Sequence, residues 1–140
     1  MDEFYSLGFL MGRASIALAK SANAALAEAG IDLPHSQFIV LRCVYYKDGL
    51  SQLEIANTIF KDAAAVKRTV DNLEEKGLVV RSQIRPLKNA VHITEKGKTL
   101  MPRVIEVANG VIDKALSGMA PQGRRDFLLA LDEIYKNLNK

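Results

Sequence analysis

The chain has 140 residues, 49% hydrophobic and 25% charged, with a formal net charge of +3 at neutral pH. That is enough for one domain with its own core, or for one domain carrying dimerising arms, and the balance is that of an ordinary soluble globular protein. A single cysteine, Cys43, excludes an intrachain disulfide framework. Asp2 and Glu3 stand where a secretory signal carries basic residues, and the apolar run from Leu7 to Met11 is soon broken by Arg13. A membrane span needs about 20 apolar residues, so the expected compartment is the cytoplasm and no membrane association is foreseen.

In chain order, an alanine-rich helix is expected from about Tyr5 to Ala29, stopping at Gly30. Its apolar residues (Leu7, Phe9, Leu10, Met11, Ile16, Leu18, Leu26) lie nearly all round, so it needs cover from more than one neighbour. Burial in a subunit interface fits better than a membrane surface, because a strongly basic face is lacking. Pro34 then sits in the first turn of a second helix reaching about Lys47, with Phe38, Leu41, Val44 and Tyr45 on its buried side. Asp48-Gly49 breaks it.

Ser51-Gln52-Leu53-Glu54 is a capping box, in which Ser51 accepts the fourth residue's N–H and Glu54 reaches back. It opens a short helix to about Phe60, with Leu53, Ile55, Ala56 and Ile59 available for burial. After a tight turn at Phe60-Lys61-Asp62, Asp62 caps a second helix, which Gly77 ends in a left-handed turn. On this helix Ala63, Val66, Thr69, Val70 and Leu73 share one arc and face a core, while Ala64, Arg68 and Asp71 occupy the opposite arc with Ala65 and Lys67 at its flanks. Two helices joined this tightly form a helix-turn-helix candidate, whose second helix enters the major groove. Leu78-Val79-Val80 opens an extended run to Ile84, Arg85-Pro86-Leu87-Lys88-Asn89 is a turn-like tip, and Ala90 to Ile93 returns as a second strand. Residues 51–98 hold nine basic and six acidic side chains, while residues 1–50 hold four and five. The positive excess therefore falls on the segment that phosphate contacts require.

These residues resemble the winged helix-turn-helix of the MarR family, the bacterial multiple-antibiotic-resistance type of regulator. The likeness is carried by Leu50-Ser51-Gln52-Leu53-Glu54-Ile55-Ala56, by Ala65-Val66-Lys67-Arg68, by Asp71-Asn72-Leu73-Glu74-Glu75-Lys76-Gly77-Leu78-Val79 and by Ile93-Thr94-Glu95-Lys96-Gly97. With the flanking helices it covers nearly the whole chain. One departure lies in the wing, where the family commonly carries Asp-x-Arg and this chain has Arg85-Pro86-Leu87-Lys88.

Beyond the wing, Thr94 caps a long helix to about Ser117, with Pro102 inside it and a bend expected near Lys98 to Met101. Gly118 ends it and Pro121 starts the last helix, where Phe127, Leu131, Ile134 and Leu138 fall at seam spacing with Leu128 and Tyr135 beside them. Such a stripe asks for a partner. The expected fold is mainly α with a small β-hairpin wing: a winged helix-turn-helix at residues 34–94 between a dimerisation helix at 1–33 and dimerisation helices at 95–140. Leu7, Leu10, Phe127, Leu131, Ile134 and Leu138 are the expected dimer contacts.

The resemblance implies a homodimeric, DNA-binding transcriptional regulator, acting as a ligand-responsive repressor on a palindromic operator. Arg68 is the expected base contact, with guanine O6 and N7 its bidentate target. Ala64 and Ala65 allow close approach to thymine methyls, and Lys61 and Lys67 meet phosphate. Ser51 and Gln52 offer N–H groups to phosphate at a helix start, and Arg85 and Lys88 reach the minor groove or its backbone from the wing. The resemblance also implies an effector pocket between dimer base and DNA-binding lobe; Arg42, Tyr45 and Tyr46 lie on a segment near it without being assigned as ligand contacts.

Other chemistry is thin. His35 and His92 are far apart with no ligand pattern around them, so neither zinc nor any other cofactor is expected. Cys43, mid-helix, reads as a buried inert thiol, with an oxidant-sensing role as the alternative. No Ser–His–Asp, glycine-loop or paired-carboxylate signature supports catalysis. The rival function is a winged-helix module that binds a protein partner, favoured by the acidic cluster Asp71, Glu74 and Glu75.

Overall fold

The computed structural model describes residues 2–86 and 88–140; Leu87, in the expected wing tip, and Met1 lie outside the described residues. Six helices and one hairpin follow in the order α1 (Glu3–Glu28), α2 (His35–Tyr46), α3 (Gln52–Ile59), α4 (Ala63–Glu75), β1 (Val79–Arg85), β2 (Lys88–Ile93), α5 (Glu95–Ala115) and α6 (Pro121–Leu138). The mainly helical fold with a hairpin wing is the one the sequence predicts.

Local chemistry sets most helix starts. The Asp2 carboxylate accepts from the Tyr5 N–H, Asp62 from Ala65, and the Thr94 hydroxyl from Gly97. The Ser51–Glu54 capping box closes in both directions, each bond 3.2 Å. Pro34 differs from expectation: it is the N-cap of α2 and not part of its first turn. Gly77, at φ 76°, takes the left-handed turn after α4.

One core joins the helix-turn-helix to α5. Leu26 and Leu33, then Val40, Leu41 and Val44 of α2, Ile55 of α3, Val66, Val70 and Leu73 of α4, Val79 and Val91 of the hairpin, and Met101 and Val104 of α5 are all buried together. Phe38 and Tyr45 lie at its edge, half-buried. Leu53 and Ala63 are corrections. Leu53 is 60% exposed, because α3 has only eight residues and its buried arc is held by Ile55 and Ala56. Ala63 is exposed, standing on the first helical turn ahead of the point where α4 enters the core at Val66.

The strands of the hairpin reach further toward the tip than predicted. The antiparallel register pairs Val79 with Ile93, Arg81 with Val91, Gln83 with Asn89 and Arg85 with Lys88, with an irregularity between Gln83 and Arg85. Arg85, Lys88 and Asn89 therefore belong to strands and not to a loop. The Val91 N–H donates to Leu50 O (2.8 Å) and the Gly49 N–H to Val91 O (2.9 Å), which ties the α2–α3 connection to the wing's return strand.

Helices α1 and α6 end the fold differently. Leu7 and Leu10 of α1, with Phe127, Leu131 and Leu138 of α6, are exposed, Ile134 is half-buried, and α6 buries no residue fully. Helix α5 runs unbroken through Pro102. No described helix is long and apolar enough to cross a membrane.

Candidate nucleic-acid interface

Helix α4 turns one face to the core and leaves the other in solvent. Val66, Val70 and Leu73 are buried, whereas Lys61, Ala64, Lys67 and Arg68 are exposed. Among the described residues the side chains of Arg68 and Lys61 have no hydrogen-bond or ion-pair partner, so both cations are available. Lys67 is paired with Asp71 one turn on (3.1 Å). Ala65 is half-buried and its N–H is already held by Asp62 at 2.8 Å. Ser51 is buried, with its hydroxyl and N–H both taken by the capping box, so the α3 start is presented by Gln52. On the wing, Arg85 is exposed and Lys88 half-buried.

Arg81, which sequence reasoning passed over, holds these pieces together. Its side chain is only 15% exposed. Nε donates to Gln52 Oε1 (2.7 Å), Nη1 to Glu74 Oε1 (2.9 Å), and Nη2 to Asp71 Oδ1 (2.6 Å) and to the Lys67 carbonyl (3.3 Å). The Arg81 N–H also reaches Glu74 Oε2 at 3.2 Å. One guanidinium thus bridges the wing, the start of α3 and the middle of α4, using the planar fork that suits arginine to several acceptors at once. The signal available in the sequence was an arginine on the same strand face as Val79, opposite a helix with acids at 71 and 74. Hydrogen bonds from Lys67 and then Arg81 hold the Asp71 carboxyl below its ordinary range. Two members of the acidic cluster are therefore engaged inside the lobe.

A second tie fixes the root of the wing. His92 places Nδ1 3.2 Å from Asp48 Oδ2 and Nε2 3.0 Å from Ser82 Oγ, while Asp48 Oδ1 accepts the Ile93 N–H at 2.7 Å. Partial burial works against the Asp48 charge, but the hydrogen bonds from Ile93 and His92 outweigh it and the Asp48 pKa lies below the ordinary aspartate value. A carboxylate whose pKa is lower folded than unfolded stabilises the fold above the unfolded value, and the gain is lost as pH falls through the folded one. Thermal melting should therefore lose stability below about pH 4. Asp48→Asn should flatten that acid limb in part, because Glu54, held low by the Ser51 side-chain and backbone bonds, and Asp71 follow the same sign. A limb unchanged in Asp48→Asn would remove this role.

Cys43 is buried in α2, and burial pushes its thiol pKa up against the opposing pull of Lys47 and Arg42. That disfavours the thiolate that oxidation requires. Burial first, then Lys61, lowers the His35 pKa and so favours its neutral form.

The family model described as MarR matches residues 33–85, which spans α2, the helix-turn-helix and β1. The HTH-type transcriptional repressor Rv2887 of Mycobacterium tuberculosis is 28% identical over 91% of this chain and 92% of its own length. The chain is thus similar to MarR-type transcriptional regulators, with the family match falling on residues 33–85. These matches support a MarR-type transcriptional regulator with a DNA-binding winged helix-turn-helix. Its fold matches that of a MarR regulator from Methanosarcina mazei Go1 with a TM-score of 0.87 at 22% identity, over 98% of this chain and 91% of that one. Rv2887 solved with DNA matches at a TM-score of 0.71, over 91% of this chain and 96% of that one. CouR of Rhodococcus jostii RHA1, bound to p-coumaroyl-CoA, matches at 0.82 with 26% identity over 91% and 90%.

Proposed function

We propose that this regulator binds a palindromic operator as a homodimer and acts as a ligand-responsive repressor in the cytoplasm, with no catalytic activity. The observation that carries the DNA reading is the free face of α4, where unpartnered Arg68 and Lys61 flank the small Ala64 while Arg81 fixes the wing beside them. Arg68 contacts a guanine edge; Lys61, Lys67 and Gln52 contact phosphate; Arg85 and Lys88 reach the minor-groove side. Residues 34–94 form the DNA-binding lobe, and residues 1–33 and 95–140 supply the dimer base.

Exposed apolar side chains along α1 and α6 support the homodimer, since a face this apolar is costly to leave in water. Two-fold symmetry would then set the two α4 helices about one DNA turn, roughly 34 Å, apart. The repressor sign is supported by the name of the mycobacterial relative, and a small-molecule effector by the ligand in CouR. An effector acts by favouring a spacing of the α4 helices that no longer matches the operator.

The test is titration of the purified protein and of Arg68→Ala against its own upstream DNA at two salt concentrations. Wild type should bind specifically with a steep salt dependence, and Arg68→Ala should lose at least about 1 kcal/mol. Absence of binding above a non-specific background, across upstream and genomic fragments, would turn the same surface into a protein-docking face.

A further inference from the structure

The turn that delivers α4 contains a residue the DNA-reading surface does not explain. Phe60, the C-cap of α3, sits at φ 57° and ψ 45°, the left-handed conformation that glycine or asparagine adopts at least cost. It is the one described residue other than glycine with a positive φ, and it is 71% exposed. Neither helix capping nor core burial calls for phenylalanine there. Backbone strain of this kind persists where surrounding contacts hold it in place.

The Phe60 ring has a partner far along the chain. Its centroid lies 5.3 Å from that of Tyr135, with the planes at 62°, an edge-on aromatic contact. Tyr135 stands on α6 beside the seam of Phe127, Leu131, Ile134 and Leu138. Helix α6 buries nothing fully, yet it is tied to its own chain at both ends: Arg124 Nη1 bonds Asp113 Oδ1 at 3.0 Å near its start, and Tyr135 meets Phe60 near its finish. Asp62, two residues after Phe60, caps α4. A shift of α6 at Tyr135 is therefore passed within two residues to the helix start that aims Arg68.

We infer that Tyr135 is a positioning residue for DNA recognition, acting through Phe60 to couple the C-terminal helix to the start of the recognition helix. The inference rests on the DNA-binding reading above. It has a signature that a purely structural role lacks: Phe60→Asn relieves the left-handed strain, so it should melt at or above the wild-type temperature while binding the operator about fivefold or more weakly. Tyr135→Ala should weaken operator binding by a similar factor, and the double variant by no more than either single. Tyr135→Phe keeps the ring, losing only the bond its hydroxyl accepts from Asn139 Nδ2 (2.8 Å), and should bind as wild type.

Non-specific DNA binding should be unchanged in all four, since no phosphate-facing charge is altered, and sedimentation should give the wild-type mass. Additive losses in the double variant, or a Phe60→Asn that binds as wild type, would overturn the coupling. Amide exchange at residues 60–64 in DNA-free protein provides an arm independent of the operator. Tyr135→Ala should speed it several-fold, and unchanged exchange overturns the inference even where the regulator reading stands. Conversely, wild type without operator preference would sink the regulator reading and leave the exchange result to decide whether α6 holds the turn.

Discussion

Arg81→Ala is expected to cost the fold about 2 kcal/mol and to weaken operator binding about tenfold or more, roughly 1.4 kcal/mol. The side chain is nearly buried and donates to Gln52, Asp71, Glu74 and the Lys67 carbonyl. Its removal does two separate things. It releases the wing and the α3 start from α4, so Arg85, Gln52 and Arg68 no longer share one fixed frame. It also strips Glu74 of its counter-charge and leaves Asp71 with Lys67 alone, on the helix that approaches phosphate, adding repulsion where attraction is needed. The stability loss stays near the lower end for a broken ion pair because both carboxylates keep roughly half of their side chains in water. Arg81→Lys should recover the charge but not the span, since one ammonium cannot serve four acceptors spread over α3 and α4, and its affinity should fall between the other two. Urea unfolding and operator titration check both figures. An Arg81→Ala within about 0.5 kcal/mol of wild type in stability would show the bridge to be incidental.

What the sequence made legible was local. The Ser51–Glu54 capping box, the Asp62 and Thr94 caps and Pro121 opening α6 each depend on residues within one turn, and each is found where it was expected. Readings that depend on distant partners went less well. Arg85-Pro86 looks like a loop by composition, but the cross-strand pairing of Arg85 with Lys88 extends β1 as far as Arg85 and leaves only Pro86 outside it. Leu53 and Ala63 look like core on a helical wheel, but a wheel cannot say where along a short helix its neighbour begins. Arg81 was invisible for the same reason, because its acceptors come from α3 and α4 and only folding brings them to one point. The acidic residues 71 and 74 then read as a docking patch, whereas their charge is answered from the wing. The seam along α6 was legible as an apolar stripe, yet the edge contact of Tyr135 with Phe60 was not, since no spacing links residues 75 positions apart.

The second large effect is expected at Gly97→Ala, which should destabilise the protein by about 3 kcal/mol or more. Gly97 lies buried on the first turn of α5, where its N–H donates to the Thr94 hydroxyl at 3.1 Å. A Cβ at this position would fall 2.5 Å from the Leu78 carbonyl oxygen and 2.7 Å from Ile93 Cγ1. The isoleucine branch has some freedom, but the carbonyl has none, because Leu78 O accepts the Thr94 N–H (3.0 Å) at the root of the hairpin. The backbone φ is not the obstacle here, as it is at Gly77; the obstacle is the space between helix and strand. Relief would require α5 to retreat from the sheet, opening the packing of Met101 and Val104 one and two turns further on. The same retreat would tilt the wing relative to α5, so surviving folded Gly97→Ala protein should also bind its operator more weakly. Chemical denaturation with circular dichroism gives the stability, and the comparison is Gly123→Ala on α6. There the nearest neighbour, Met119 Cβ, is 3.9 Å away, and the change should be neutral or slightly stabilising. Equal melting of the two variants would mean that α5 and the hairpin root yield more easily than the 2.5 Å approach of an added Cβ to the Leu78 oxygen implies.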